Sequence, residues 1–553
     1  MKKNICGVLA GIVLLHCSVS AFAFDAYVPG ELLVKTSPAA GVYAINSVLQ
    51  KIGGRILHAY GIVEGLYCVR VNDDASLSDT ISVLESDPTV EYAEPNYMRS
   101  AFLIPDDPGI PYLWGLLNTG QTGGAFDADI DAGEAWDITT GHQDTVIAVI
   151  DTGVDMEHDD LSANIWSNAG EIPGNGVDDD GNGYVDDVHG WDFYANDNDP
   201  SDTPLCRHGT HVSGTIGAVG NNGLGVVGIN WTTKIMPLRF LGGPLCSGTD
   251  ANAIRAIEYA AGKQVRIANN SWGGGGYSRA VEEAIRNSAM IFVAAAGNGG
   301  WDGAGDNNDL APHYPSSYPL DNILAVAATD HNDALAPFSN YGNASVDLTA
   351  PGVTIASTIP DNKYAYFSGT SMATPHVTGV VGLLVSQNPA AENWEIIYKI
   401  LQGADRKGLP VLTGGRLNAY NALSLPDGSK VRSEENTGTY VGTWSDLANS
   451  GFSSGTVKYS NQKYAYVTFT FSGSGIRWVA SKAGMLGKAD VYLDGSYTTT
   501  IDLYNPGILH QQVVYSNLSL SNGLHTLGVV VKGEKNPGAA NTFVNLDAIE
   551  IIH

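Results

Sequence analysis

This sequence predicts a mostly parallel α/β sheet flanked by helices over residues 105–425, with a small α+β unit before it and an all-β, jelly-roll-like sandwich after it. Three observations predict this. Through the middle of the chain, short apolar runs alternate with helical spacing, as expected of strands buried on both faces of a parallel sheet. Before residue 104, strand-like runs alternate with two helical patterns. After residue 432, strand-like runs follow one another with no helical segment between them.

The elements follow in chain order. Lys2 and Lys3 precede an apolar run at 5–19 and an Ala21-Phe22-Ala23 cleavage pattern, so residues 1–23 read as a secretory leader and the protein as extracellular. The run is too short to span a membrane. In 24–104, residues 30–35 and 66–71 read as strands and 44–51 and 77–85 as helices, and 90–96 end the unit. In 105–425, residues 145–150, 234–240, 265–270, 290–296 and 322–328 read as buried strands, with helical spacing at 250–261 and 278–289. Residues 426–431 have the composition of a linker. In 432–553, seven strand-like runs are separated by turn signals such as Asp494-Gly495 and Asn522-Gly523.

Composition removes some functions. The formal net charge of the 553 residues is −29. Nucleic-acid binding depends on Lys and Arg neutralising phosphates, so a nucleic-acid partner is not expected. Acidity favours solubility and divalent-cation binding.

Three motifs sit where strands end or helices begin. Val149-Ile150-Asp151-Thr152-Gly153 ends a buried strand with an acid. His208-Gly209-Thr210-His211-Val212-Ser213-Gly214 opens a helix of small residues. Gly369-Thr370-Ser371-Met372-Ala373-Thr374-Pro375-His376-Val377 opens another, where Pro375 suits a first turn whose amides lack intrahelical partners. Open α/β sheets carry their sites at the carboxyl ends of strands.

The chain order Asp, His, Ser and the three extended blocks resemble the subtilisin-like serine proteases (subtilases, peptidase family S8) over residues 105–425. The resemblance implies a serine endopeptidase acting on proteins or peptides through an acyl-enzyme. Ser371 would be the nucleophile, His208 the general base and Asp151 its orienting acid. Val293-Ala294-Ala295-Ala296-Gly297-Asn298 resembles the family's oxyanion segment, with Asn298 as side-chain donor. Asn269-Asn270-Ser271-Trp272-Gly273-Gly274 resembles the edge that pairs with bound peptide, making Ser271, Trp272 and Gly273 substrate-binding candidates. His211, His376 and Asp155 are expected to pack rather than react. Residues 24–104, ending in Val90-Glu91-Tyr92-Ala93-Glu94-Pro95-Asn96-Tyr97, resemble the family's inhibitor-type propeptides, so the chain's own propeptide is an expected intramolecular inhibitor, removed autocatalytically.

Of five cysteines, Cys6 and Cys17 would leave with the leader and Cys68 with the propeptide. Cys206 and Cys246 remain, one disulfide in an oxidising compartment or two buried thiols.

The segment 175–187 is dense in oxygen ligands. Asp178, Asp180 and Asn182 have the alternate spacing of calcium loops, and Asp186 or Asp187 would close the shell; the alternative is a solvated acidic loop. The family resemblance favours a structural calcium. It also suggests a second site, from Asp160, Asn222 and backbone oxygens near residues 224 and 226. No zinc signature is present.

Residues 432–553 resemble carbohydrate-binding or galactose-binding-like modules, whose partner would be a polysaccharide or cell-surface ligand. Trp444, Trp478, Tyr504 and Tyr515 are either sugar-stacking or core residues. Each unit is expected to hold its own core, so that a monomeric chain ending near residue 425 would still cleave peptides. The leading reading is a degradative endopeptidase of broad specificity. The alternatives are a selective maturation protease and an inactive surface-binding scaffold, against which stands the complete set Asp151, His208, Asn298 and Ser371.

Overall fold

A computed structural model describes residues 27–37, 41–71, 77–97, 103–300 and 302–553. The secretory leader expected at 1–23 lies outside the described residues. The chain divides into two compact units, Met1–Ala101 and Phe102–His553.

The first unit is a four-stranded antiparallel sheet of order β2-β3-β1-β4, formed by β1 (Tyr27–Thr36), β2 (Arg55–Ala59), β3 (Leu66–Arg70) and β4 (Val90–Tyr97). Helices α1 (Gly41–Ile52) and α2 (Leu77–Glu85) complete it. Alternation along β1 buries Leu32 and Val34, and the spacing i, i+3, i+4 along α1 buries Ile45, Val48 and Leu49 against them. β2 lies outside the expected strands; its residues are mostly exposed and carry no apolar period.

The second unit is built on a nine-stranded sheet of order β14-β15-β11-β10-β9-β8-β5-β7-β6. Its strands are β5 (Val146–Asp151), β6 (Trp191–Asp192), β7 (Lys234–Arg239), β8 (Ile267–Asn270), β9 (Ile291–Ala295), β10 (Ile323–Thr329), β11 (Leu348–Pro351), β14 (Asp405–Arg406) and β15 (Gly415–Arg416). All pairs are parallel except β14 with β15. The helices are α3 (Ala132–Trp136), α4 (His208–Gly217), α5 (Asp250–Gly262), α6 (Arg279–Ser288), α7 (Thr370–Gln387), α8 (Asn393–Gly403) and α9 (Ala419–Ser424), and β12 (Ile355–Ile359) with β13 (Lys363–Phe367) forms a separate hairpin. β5 shows why helices cover both faces. Ile147 and Val149 join a core with α4 and α7, while Ala148 and Ile150 join another with α5 and α6. Apolar on both sides, α7 is buried along nearly its whole length.

From β16 (Lys430–Glu434) onward the chain is antiparallel β. β16 pairs with Ala548–Ile552 in a four-stranded sheet; five- and three-stranded sheets complete a sandwich around Phe469, Trp478, Val491, Leu527 and Leu546. One expectation changes here. Lys430 and Val431, expected in a linker, begin β16 because they find backbone partners at the chain's last strand. Trp478 and Tyr515 are core, leaving Trp444 and Tyr504 partly exposed. The sandwich also does not keep its core to itself. Leu518 and Ile552 join the apolar cluster of the parallel sheet domain. Gln402 on α8 donates to the carbonyls of Ser474, Leu518 and Leu520, and Arg406 to that of Ser519.

Candidate active site

Asp151 is the last residue of β5, His208 the first of α4 and Ser371 the second of α7, so three distant segments meet at the carboxyl edge of one sheet. His208 Nδ1 lies 2.7 Å from Asp151 Oδ1. The Asp151 side chain is fully buried, while that of His208 stays 27% exposed and so open to a substrate. Gly209 permits this approach: a Cβ there would lie 2.1 Å from the Gly153 carbonyl oxygen and 3.2 Å from Asp151 Cβ. Burial pushes the His208 pKa down, but the charge and hydrogen bond of Asp151, with the charge of Asp202 behind, outweigh this and hold it above the ordinary histidine value.

The Ser371 hydroxyl donates to the Ser271 carbonyl (3.0 Å), and the Ser271 hydroxyl donates to the Ser371 carbonyl (2.9 Å). The second contact explains Pro375. It is the sixth residue of α7, in the second turn rather than the first. Its missing N–H leaves the Ser371 carbonyl four residues back without its helical donor, and Ser271 supplies one.

Asn298 follows β9. Its Oδ1 accepts from the Thr370 N–H (2.8 Å) and hydroxyl (3.0 Å). A backbone N–H only donates, so this network fixes Nδ2 as the free end. A Cβ on Gly369 would stand 3.6 Å from both Asn298 Nδ2 and Ser371 N. Two donors therefore lie near one point beside Gly369, at the start of the helix that carries Ser371.

Beside these residues runs a cleft of about 660 Å³ whose lining includes His208, Leu241, Ser271, Trp272 and Gly273. Trp272 packs on Phe240 and Phe292. The Cys206–Cys246 disulfide forms part of the wall and ties the His208 loop to the rim beyond β7. His211 and His376 are turned inward. Their ring nitrogens meet backbone carbonyls, and burial drives their pKa values down to about 3 and about 4. Asp155 accepts from the N–H groups of Glu157 and Asp361.

The acidic loop holds a cluster that differs from the expected one. Oxygens of Glu171, Asp178 and Asp180 lie within 4.8 Å of one another. Glu171 is buried, and its Oε2 has no hydrogen-bond partner. A buried carboxylate with one unpartnered oxygen, grouped with two more carboxylates, suits a hard cation, and Lys263 already pairs with one of them, Asp180. Asp186 and Asp187, expected to close the shell, lie outside this group. Asp186 accepts from the amides of Asn175 and Gly176, and Asp187 from Tyr259, Asn168 and Asn182. Asn182 thereby gives its side-chain amide to Asp187. Spacing alone did not reveal Glu171, seven residues before Asp178.

At the second candidate, buried Asp160 accepts from Asn222 Nδ2 (2.9 Å) and the Val226 N–H (2.8 Å). Asp107, from a segment with no motif, joins it. Burial raises the pKa of both carboxylates, Asp160 adding to the effect on Asp107, and Asp107 Oδ1 has no partner. These donors also fit a calcium ion.

A model of the subtilase family matches residues 142–426, and one described as the fervidolysin N-terminal prodomain matches residues 23–96. A thermophilic serine proteinase of a Bacillus species is 36% identical over 410 residues, covering 72% of this chain and 88% of its own. Thermitase of Thermoactinomyces vulgaris is 39% identical over 299 residues, covering 53% and 93%. An extracellular protease of Xanthomonas campestris is 33% identical over 371 residues, covering 63% and 60%.

Proposed function

The chain belongs to the subtilase family, and from that premise we propose that Asp151, His208 and Ser371 are its triad in a secreted, broadly degradative endopeptidase that removes its own propeptide. A serine endopeptidase with an N-terminal prodomain is the activity its relatives share. The observation that carries the assignment is the 2.7 Å contact of His208 with a buried carboxylate, beside a serine at a helix N-terminus.

The mechanism follows from the atoms. A peptide lies along Ser271–Gly273 as an added strand. The Ser371 hydroxyl leaves the Ser271 carbonyl and turns to His208 by rotation about one bond. Asp151 keeps Nδ1 protonated, so Nε2 takes the hydroxyl proton as Oγ attacks the scissile carbonyl. The resulting oxyanion accepts from Asn298 Nδ2–H and Ser371 N–H. Collapse expels the amine, which takes the proton from His208, and water then repeats the sequence on the acyl-enzyme. The base must be neutral, so activity falls as pH drops through the raised His208 pKa. A serine-directed fluorophosphonate should label Ser371, and His208→Ala should abolish labelling. Labelling at another residue, or labelling indifferent to His208, would overturn the assignment.

The leader pattern and the extracellular relative support secretion; among the described residues, no helix is long and apolar enough to cross a membrane. The prodomain match supports an intramolecular inhibitor. Of the four aromatic residues expected to stack on a polysaccharide, Trp444 and Tyr504 remain available, since Trp478 and Tyr515 are core.

Calcium would be held by Glu171, Asp178 and Asp180 and by Asp107, Asp160 and Asn222, neutralising buried charge and supplying no step of the reaction. An ion bound only by the folded state at 100 times its Kd adds about 2.7 kcal/mol. Chelator should therefore lower the Tm without quenching the fluorophosphonate reaction at once. Asp178→Ala with Asp180→Ala should reproduce part of the loss. A melting curve unchanged in chelator would eliminate the structural ion.

A further inference from the structure

We infer that Asp202 is a positioning residue for the general base: it pins the first turn of α4 and sets a second negative charge behind His208, an inference that rests on His208 being that base. α4 starts without a side-chain cap, because Arg207 at its N-cap position is in the left-handed region (φ 59°) and makes no such bond. The free amides of that turn need an acceptor from elsewhere. Asp202 supplies it from the preceding loop, although it is only 8% exposed. Its Oδ2 accepts from the Thr210 N–H (3.0 Å) and the Thr210 hydroxyl (2.8 Å), and its Oδ1 from the Thr203 N–H (2.8 Å).

Thr210 carries the connection onward. Its Oγ1 accepts from the Asp155 N–H (3.0 Å), four residues beyond Asp151, and its carbonyl accepts from the Thr358 hydroxyl (2.8 Å) on β12. Asp202 therefore fixes the turn bearing His208 to the segment that follows Asp151. A carboxylate here also meets the positive end of the helix dipole.

The charges around the imidazole make the role electrostatic as well as steric. Asp151 and Asp202 both favour the imidazolium. His211, one turn further along α4, is held neutral by burial, and Arg207 beside the ring is exposed to solvent. Burial pushes Asp202 up to about 6, against the bonds from Thr210 and Thr203 and with the charge of Asp151 adding to the rise. It is therefore ionised at neutral pH, when His208 takes up the Ser371 proton.

The test is the pH dependence of kcat/KM on a soluble peptide for the mature wild type, Asp202→Asn, Asp202→Glu and His208→Ala. Asparagine keeps an acceptor for the Thr210 N–H but removes the charge, so His208 loses a proton more easily. The acid-limb midpoint should fall by roughly half a pH unit, with kcat several-fold lower and KM little changed. Asp202→Glu should hold the midpoint near wild type. A residue that only supported the loop would lower the Tm and leave the midpoint in place, and that outcome in folded Asp202→Asn would overturn the inference. Asp202→Ser, smaller and also neutral, decides the question should the asparagine variant not fold. Activity surviving in His208→Ala would instead show that the base itself had been misassigned.

Discussion

Replacing Ser371 by alanine should lower kcat by about 10⁶-fold, the size of loss known for removing the serine of subtilisin, and should leave the prodomain attached. The triad acts as a unit, so His208 and Asp151 retain little value without an oxygen to deprotonate. The loss should stop short of the uncatalysed rate. Asn298 and the helix N-terminus remain, and such donors with substrate binding preserve roughly 10³–10⁴-fold over water. The Ser271 hydroxyl still meets the Ser371 backbone carbonyl, which the substitution keeps, so the fold should be unchanged. Two measurements check this on one preparation: peptide hydrolysis and the mass of the purified chain. A precursor-sized, inactive and folded protein is expected. An active protein lacking the prodomain would show both the nucleophile and the self-processing to be misassigned.

Whether the sequence revealed a residue depended on whether its function is carried by contiguous neighbours. Asp151, His208, Ser371 and Asn298 each sit in a block whose glycines and small residues are needed for close approach, as Gly209 is against Gly153. The block therefore advertises the residue. The apolar runs of β5, β7 and β9 were legible because burial on both faces leaves no polar positions in them. Glu171, Asp107 and Asp202 were not legible. Each is an acid in an irregular segment, and what distinguishes it is burial among groups brought in by other loops. Asp186 and Asp187 failed in the opposite way. Their spacing suits a cation, but the fold groups the oxygens of Asp178 and Asp180 with Glu171 instead. The partnership between sandwich and protease was hidden for a related reason. Gln402 and Arg406 read as ordinary polar residues near the end of α8, and only the fold shows that their donors cross to the carbonyls of residues 474 and 518–520.

That partnership reverses the expected effect of truncation. A chain ending at Leu425 should lose several kcal/mol of stability, although its active site is complete. Leu518 and Ile552 are almost fully buried in the cluster that includes α8 and α9. Two side chains of that size contribute roughly 1.5–3 kcal/mol each when buried. Removing them also uncovers their partners. The Tyr398 hydroxyl, buried against Ser474 Oγ at 2.8 Å, would lose its partner. So would Gln402, Arg406 and Asp321, the last of which pairs with the part-buried Arg477 at 2.5 Å. For a domain of more than 300 residues each kcal/mol shifts the Tm by about 1.5 °C, so a fall of several °C is expected, with aggregation during expression. Well below that temperature, kcat on a small peptide should be near wild type, because Asp151, His208, Asn298 and Ser371 all precede the cut. The comparison is full-length against truncated enzyme, in Tm and in turnover of a soluble peptide and of an insoluble matrix. Paired loss on both substrates, tracking the fall in Tm, would establish the sandwich as a buttress. An unchanged Tm with loss confined to the matrix would make it a tether instead, since linkage to a binding module raises local substrate concentration without altering the chemistry.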